Sequence, residues 1–369
     1  MPPRRRRDPG RVAREVQENL VPAGNAIDVI NRAIDVLLPH VPAAIWCGVV
    51  VDPATLLDTG GEHRSGFPAS VMPRLFEIEH GEQDDVDSLR RLVRRAEPAS
   101  ALSASTAGQL HTSKYYRDIL RPLDLADELR VLLRDGGRTW GLLVMCREEG
   151  TAGYSAQDVE IAAAVAVPAA AALRKSLLTG GVDGGTVPDA PGVAVVNRDH
   201  SMAALSPTAQ HWLDRLAENH EPGRTPHAVS AIVSHARAGE PGAIARSRAR
   251  TRDGGWVTLH AWHTSETGQT TISIGPALPG ELAALILDAY PFTAREREIT
   301  QLVLLGRSTA EIAAALYVST HTVQDHLKAV FDKTGVRSRR DLVADVFFQH
   351  YLPQLASARL TTDGRLLTQ

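Results

Sequence analysis

Apolar residues recur with a helical period over residues 11–38. Ile27, Ile30, Ile34, Leu37 and Leu38 share one face, and Pro39 and Pro42 close the run. "AAIWCGVVV" (43–51) then reads as a buried strand that stops at the Asp52-Pro53 turn. A helix-poor stretch follows to about residue 85. "ELRVLLRDGGRTWGLLVMCRE" (128–148) holds two β-type apolar runs joined by Asp135-Gly136-Gly137, the pattern of a hairpin. Ser155 is placed to cap a long helix over 155–178, with a kink expected near Pro168. Helix, strands, hairpin and helix predict an α+β domain over 21–178.

The pattern then breaks. Residues 179–192, "TGGVDGGTVPDAPG", have the Gly and Pro content of a linker. A second α+β domain is expected over 193–276. It opens with strand 193–197, a turn and a return strand. A helix over 207–217 follows, with Ala209, Trp212, Leu213 and Leu216 on one face. A second helical stretch (227–238) precedes three strands at 243–251, 256–263 and 270–275, turned at Asp253-Gly254-Gly255 and Glu266–Gln269.

From Leu282 onward the pattern is helical, and caps divide it. Thr293-Ala-Arg-Glu296 and Ser308-Thr-Ala-Glu311 are capping boxes: the hydroxyl satisfies an orphan amide and the glutamate bonds back. Ser319 or Thr320 opens a third helix and Ser338 a fourth, while Gly306 and Gly335 are placed as stops. The short joint Leu316–Ser319 between the second and third helices is that of a helix-turn-helix. On the third helix Val323, Leu327, Val330 and Phe331 form one apolar stripe. His321, Asp325, Lys328 and Asp332 lie opposite, with Gln324 at the edge.

Charge narrows the picture. The chain of 369 residues carries a formal net charge of −3, so a nucleic-acid contact must come from a local patch. Residues 328–340 supply one, with five basic residues against a single acid. The two cysteines, Cys47 and Cys146, lie in apolar runs, which excludes a disulfide framework and a four-cysteine zinc site. The arginines at 4–7 read as part of a solvated, disordered tail over 1–20, and 353–369 as a second tail. Ile161–Leu173 is too short to span a bilayer. Asp52 reads as a turn residue and Asp84–Asp87 as an exposed acidic loop. Histidines without ligand spacing, no phosphate-cradling loop and no nucleophile–base pair predict no enzyme, no metal and no cofactor. A soluble, cytoplasmic protein with no membrane partner is expected.

"FTAREREITQLVLLGRSTAEIAAALYVSTHTVQDHLKAVFDKTGVRSRRDLV" resembles the DNA-binding domain of LuxR/FixJ-type transcription regulators, here 277–352. The resemblance implies an all-α four-helix fold, double-stranded DNA as partner and a homodimer. It matches Gln324, Asp325 and Lys328 to base-edge positions. It makes Thr320, Thr322, His326 and Arg339 phosphate-contacting or structural; Lys333 and Arg337 join the DNA-binding set through the local basic excess, and His321 through its place on the exposed face. It assigns Val343, Val346, Phe347 and Tyr351 to dimerisation. "VDPATLLDTGG" and "YYRDILRPLDLADELRVLLRDGGRTWG" resemble a GAF domain, and 193–276 resembles a PAS domain by its strand and helix order. Modules in this order are similar to a family of actinobacterial regulators. The whole is expected to be multidomain, sensing a small molecule or dimerising through its front domains, with RNA polymerase as a further partner. The alternative is a protein-interaction scaffold whose front domains bind a partner instead of a ligand.

Overall fold

The computed structural model describes residues 8–179, 188, 191–219 and 224–344. They fall into two compact units, one holding both β-sheets through Pro276 and one holding the helices from Ala277.

In the first unit, helices α1 (Pro9–Leu20) and α2 (Ala26–Leu37) precede strands β1 (Ile45–Val51) and β2 (Asp58–Glu62). Pro22 and Gly24 divide the helical run expected over 11–38, and the Asn25 side chain caps α2. Residues 9–20 are helical where a disordered tail is expected, because Val12, Val16 and Leu20 are spaced to bury one face. The helix-poor stretch contains α3 (Met72–Phe76), a π-helical turn (Glu77–Glu82) and α4 (Leu89–Leu92). Next come β3 (Ala99–Ala101), α5 (Leu102–Ser105), β4 (Leu125–Asp135) and β5 (Arg138–Glu148). Gly136 and Gly137 turn the hairpin with φ of 58° and 77°, the two left-handed residues of a type I′ turn.

Pro168 leaves the carbonyl four residues earlier without a donor. The helix expected over 155–178 is accordingly two, α6 (Ala156–Ala163), which opens on the Ser155 capping box, and α7 (Ala166–Thr179). Ala156–Leu178 has the length and hydropathy of a membrane span. Its Ile161, Ala162, Ala169, Ala170 and Leu173 are buried. Gly48 lets α2 close on β1: a Cβ there would stand 2.2 Å from Ile30 Cγ2.

The second half of this unit holds β6 (Gly192–Val196), β7 (Met202–Leu205), α8 (Pro207–Asp214), β8 (Glu218–Asn219) and α9 (His227–Ala238). It ends with β9 (Ala245–Arg250), β10 (Trp256–Thr264) and β11 (Gln269–Pro276). One sheet runs β7-β6-β11-β10-β9 and the other β3-β4-β5-β1-β2-β8. The short β8 joins the halves. It pairs in parallel with β2, Gly61 opposite Glu218. The buried Glu218 carboxylate accepts from the His227 and Ala228 amides at 2.8 Å each, supplying the N-terminus of α9. Asp52 turns the chain by accepting from the Ala54 amide at 2.9 Å, and also accepts from Arg248 Nε at 2.7 Å across the two halves. The Asp84–Asp87 loop differs from its expected exposure. Asp85 and Asp87 are buried, because Asp85 accepts from Ser113 Oγ and the Lys114 and Tyr115 amides, and Asp87 pairs with Arg95.

The second unit contains α10 (Pro279–Ala289), α11 (Ala294–Leu304), α12 (Thr309–Leu316) and α13 (Thr320–Thr334), and a further helix begins at 339–344. Thr293, Ser308 and Ser319 cap their helices by accepting from the third following amide. Gly306 and Gly335 lie at left-handed stops, φ 77° each. α10 is additional to the four expected helices. It is apolar on several sides, and Leu282, Leu285, Ile286 and Leu287 are all buried.

Candidate nucleic-acid interface

α13 owes its position to one stripe. Val323, Leu327 and Val330 are buried and Phe331 is half-buried, so the opposite side must face outward. That side carries His321, Gln324, Asp325 and Lys328, all exposed. His321 Nε2 stands 3.7 Å from Asp325 Oδ2, one turn along, with both side chains largely in solvent. The carboxylate therefore has a local partner on its own helix. Thr320 is exposed. Thr322 is half-buried and its hydroxyl lies 2.9 Å from that of Ser319, while His326 is half-buried at the edge of the stripe.

The basic run separates into two groups. Lys333 Nζ donates to Glu296 Oε2 at 2.6 Å, bracing the end of α13 against the start of α11. Glu296 also accepts from the Thr293 amide at 2.7 Å. Burial raises the Glu296 carboxyl, but the bonds from Lys333 and Thr293 outweigh it and hold the group below the ordinary glutamate value. The Arg339 guanidinium donates to the Arg307 carbonyl. Lys328, Arg337 and Arg340 are exposed and, among the described residues, have no ion-pair or hydrogen-bond partner. Three free cations beside an outward polar strip can meet a polyanion, while Lys333 and Arg339 first serve the fold. Spacing does not reveal these two pairings, because the partners lie 37 and 32 positions apart. Val343 is half-buried; Val346, Phe347 and Tyr351 lie outside the described residues.

The joint before α13 is held from α11, where Arg295 donates to the Leu316 carbonyl at 2.8 Å. Tyr317 at that joint has φ 55° and is 95% exposed.

The first unit offers enclosed chemistry of a different kind. Arg130, fully buried, bonds Glu128 Oε1 at 2.5 Å and Glu79 Oε1 at 2.6 Å. Burial pushes the Glu128 carboxyl up to about 7 even beside Arg130. This cluster borders a cavity of ≈ 60 Å³ walled by Phe67, Met72, Phe76 and Val144, with Asp58 and His80 3.3 Å apart on its edge. Cys47 lines it too, its thiol pushed up to about 12 by burial, so it is an inert wall. An open cleft of ≈ 650 Å³ lies between the two halves, lined by Arg74, Glu77, Arg198, His200, Arg237 and His263. His200 is buried, and its imidazole is lowered to about 4 by burial and by Arg237. Among the described residues no group of three or more His, Cys, Asp or Glu could hold a metal ion.

Residues 290–345 match the profile of the bacterial regulatory proteins of the luxR family. The spore germination protein GerE of Bacillus subtilis is 37% identical over 54 residues, which are 15% of this chain and 73% of GerE. The probable transcriptional regulatory protein NarL of Mycobacterium tuberculosis is 37% identical over 84 residues, 21% of this chain. The match spans 39% of the length of NarL. A solved VqmA dimer of Vibrio cholerae aligns over 44% of this chain and 83% of its own at 14% identity. Its TM-score of 0.17 is too low to bear on fold or function.

Proposed function

Because this chain belongs to the luxR family of bacterial regulatory proteins, we propose that it is a cytoplasmic DNA-binding transcription regulator that reads the major groove with α13. The observation that carries this is the outward strip His321, Gln324, Asp325 and Lys328 on a helix whose other side is buried. In a helix-turn-helix the second helix lies in the groove and the first crosses the backbone. Gln324 then suits an adenine edge, Asp325 a cytosine amino group and Lys328 a guanine. Thr320, Thr322, Arg337 and Arg340 are read as phosphate contacts. His326, Lys333 and Arg339 hold the element in shape. A single half-site of this size binds weakly, so a homodimer formed through the helix beginning at 339 is part of the reading.

We read the front unit as GAF-like and PAS-like halves that sense a small molecule. The ≈ 650 Å³ cleft between them has the volume of a metabolite site. RNA polymerase is the further partner through which DNA binding would act.

Selection of duplexes from a random library with the full chain tests the DNA reading. Enrichment of a half-site repeated at about one helical turn is expected; a pool that stays random would overturn it. Light scattering on the enriched duplex should give two chains per DNA, and a one-to-one complex would refute the dimer. Native mass spectrometry of the freshly purified chain tests sensing. A small adduct lost on denaturation is expected. A bare chain, together with a refolded chain of unchanged DNA affinity, would count against it.

A further inference from the structure

Three left-handed residues mark helix ends in the second unit. Two are glycines, Gly306 and Gly335; the third is Tyr317, with φ 55° and ψ 42° at the end of α12. An L side chain there crowds its Cβ against the following carbonyl, which glycine avoids. The tyrosine side chain gains nothing inside the fold in return. It is 95% exposed, and among the described residues its hydroxyl has no hydrogen-bond partner and its ring no ring or cation contact. The helix-ending bonds run from its backbone amide to the Ala313 and Ala314 carbonyls, which any residue but proline would supply. A strained, solvent-facing aromatic at a position suited to glycine has its contribution outside the folded chain.

Its place says where. Tyr317 stands two residues before Ser319, the cap of α13, at the joint that Arg295 fixes through the Leu316 carbonyl. With α13 entering the groove by its N-terminal end and α12 crossing the backbone, the joint lies over the sugar–phosphate chain. A phenol suits that surface: its ring covers a deoxyribose and its hydroxyl donates to a phosphate oxygen. We propose that Tyr317 is a positioning residue that clamps the DNA backbone at the groove edge and sets how far α13 enters. This rests on the reading of α13 as the DNA-contacting helix.

The test uses full-length Tyr317→Gly and Tyr317→Phe beside the unaltered chain. Unfolding midpoints are measured, with anisotropy titrations on the enriched duplex and on a scrambled duplex at one salt concentration. Tyr317→Gly should melt no lower, because a left-handed position favours glycine. It should bind both duplexes about tenfold more weakly, by equal factors, since a lost phosphate contact carries no base preference. Tyr317→Phe should fall between. Unchanged affinity in Tyr317→Gly overturns the proposal. So does a lowered midpoint, which would make the ring part of the fold. If affinity holds but transcription with purified polymerase is lost, the ring serves a protein partner, which also overturns it. An unaltered chain that binds neither duplex would fail the underlying reading of α13 instead, a separate result.

Discussion

Asp325→Ala removes a carboxylate from the centre of the outward face of α13. Its neighbour on the helix is His321 at 3.7 Å, and the Asp325 and His321 side chains are 69% and 84% exposed. Such an exposed i,i+4 pair is worth about 0.3–0.5 kcal/mol, so the unfolding midpoint should hardly move. The effect on DNA should be larger and of two kinds. Residues 320–340 hold five basic residues against two acids, Asp325 and Asp332, and the substitution moves that balance one charge toward the polyanion. Non-specific affinity should therefore hold or rise. If the carboxylate accepts from a cytosine amino group, discrimination at that base pair drops by about 1–3 kcal/mol, roughly 5- to 150-fold. The assay is anisotropy titration of the enriched duplex and of duplexes altered one pair at a time, with unfolding followed in parallel. His321→Ala and the double variant complete a cycle. A cycle that adds up assigns the effect to a direct contact, and strong coupling assigns it to positioning of His321. Loss of all binding, or an unchanged preference at every base pair, would refute the reasoning.

Lys328→Ala, which takes one cation from each protomer, should weaken binding, most of all to the enriched duplex, and lower the salt slope of the dimer by about 1.8, with an unchanged melting curve. Lys333→Ala should do the opposite. By stripping the buried Glu296 of its cation it should cost about 1–3 kcal/mol of unfolding free energy, read by denaturant titration, with a smaller direct effect on DNA. Arg248→Met leaves Asp52, 1% exposed, without its charge partner and should destabilise the front unit by about 3–5 kcal/mol in the same assay. The Glu218 carboxyl is raised from 4.5 to about 7 by burial. Its contribution to stability is therefore full below about 4.5 and lost as pH rises through 7. The front unit should melt lower at pH 8 than at pH 6, and Glu218→Gln should flatten that slope, leaving the share of Glu128.

What the sequence discloses here is local. The Thr293, Ser308 and Ser319 caps each need only a partner three residues on, and each forms. The stripe Val323, Leu327 and Val330 follows from helical period alone, and with it the outward strip. Glycines at 136 and 137 announce their turn because few other residues accept those dihedrals. Long-range pairing is hidden. Asp52 meets Arg248 at 196 positions' distance, and Glu296 meets Lys333 at 37. β2, "DTGGE", is fully buried yet has no apolar residue. It is tolerated because Asp58 faces His80 and the Thr59 hydroxyl donates to the Val50 carbonyl at 3.2 Å. Asp85 and Asp87 go inside for the same reason, since the donors they meet come from residues 95–115. Tyr317 is plain in the sequence, but its left-handed backbone and exposure are not.

The proposed encounter of α13 with DNA runs through a small set of cations and a reading strip. The most direct measurement is titration of the full chain with the enriched and the scrambled duplex at 50 and 200 mM salt, roughly the range over which phosphate contacts are resolved. Among the described residues Lys328, Arg337 and Arg340 are the unpaired basic residues of the run, so a dimer should give a log–log salt slope of about −5 on both duplexes. The enriched duplex should bind at least ~10³-fold more tightly than the scrambled one. Binding that ignores salt, or that does not distinguish the two duplexes, would contradict it.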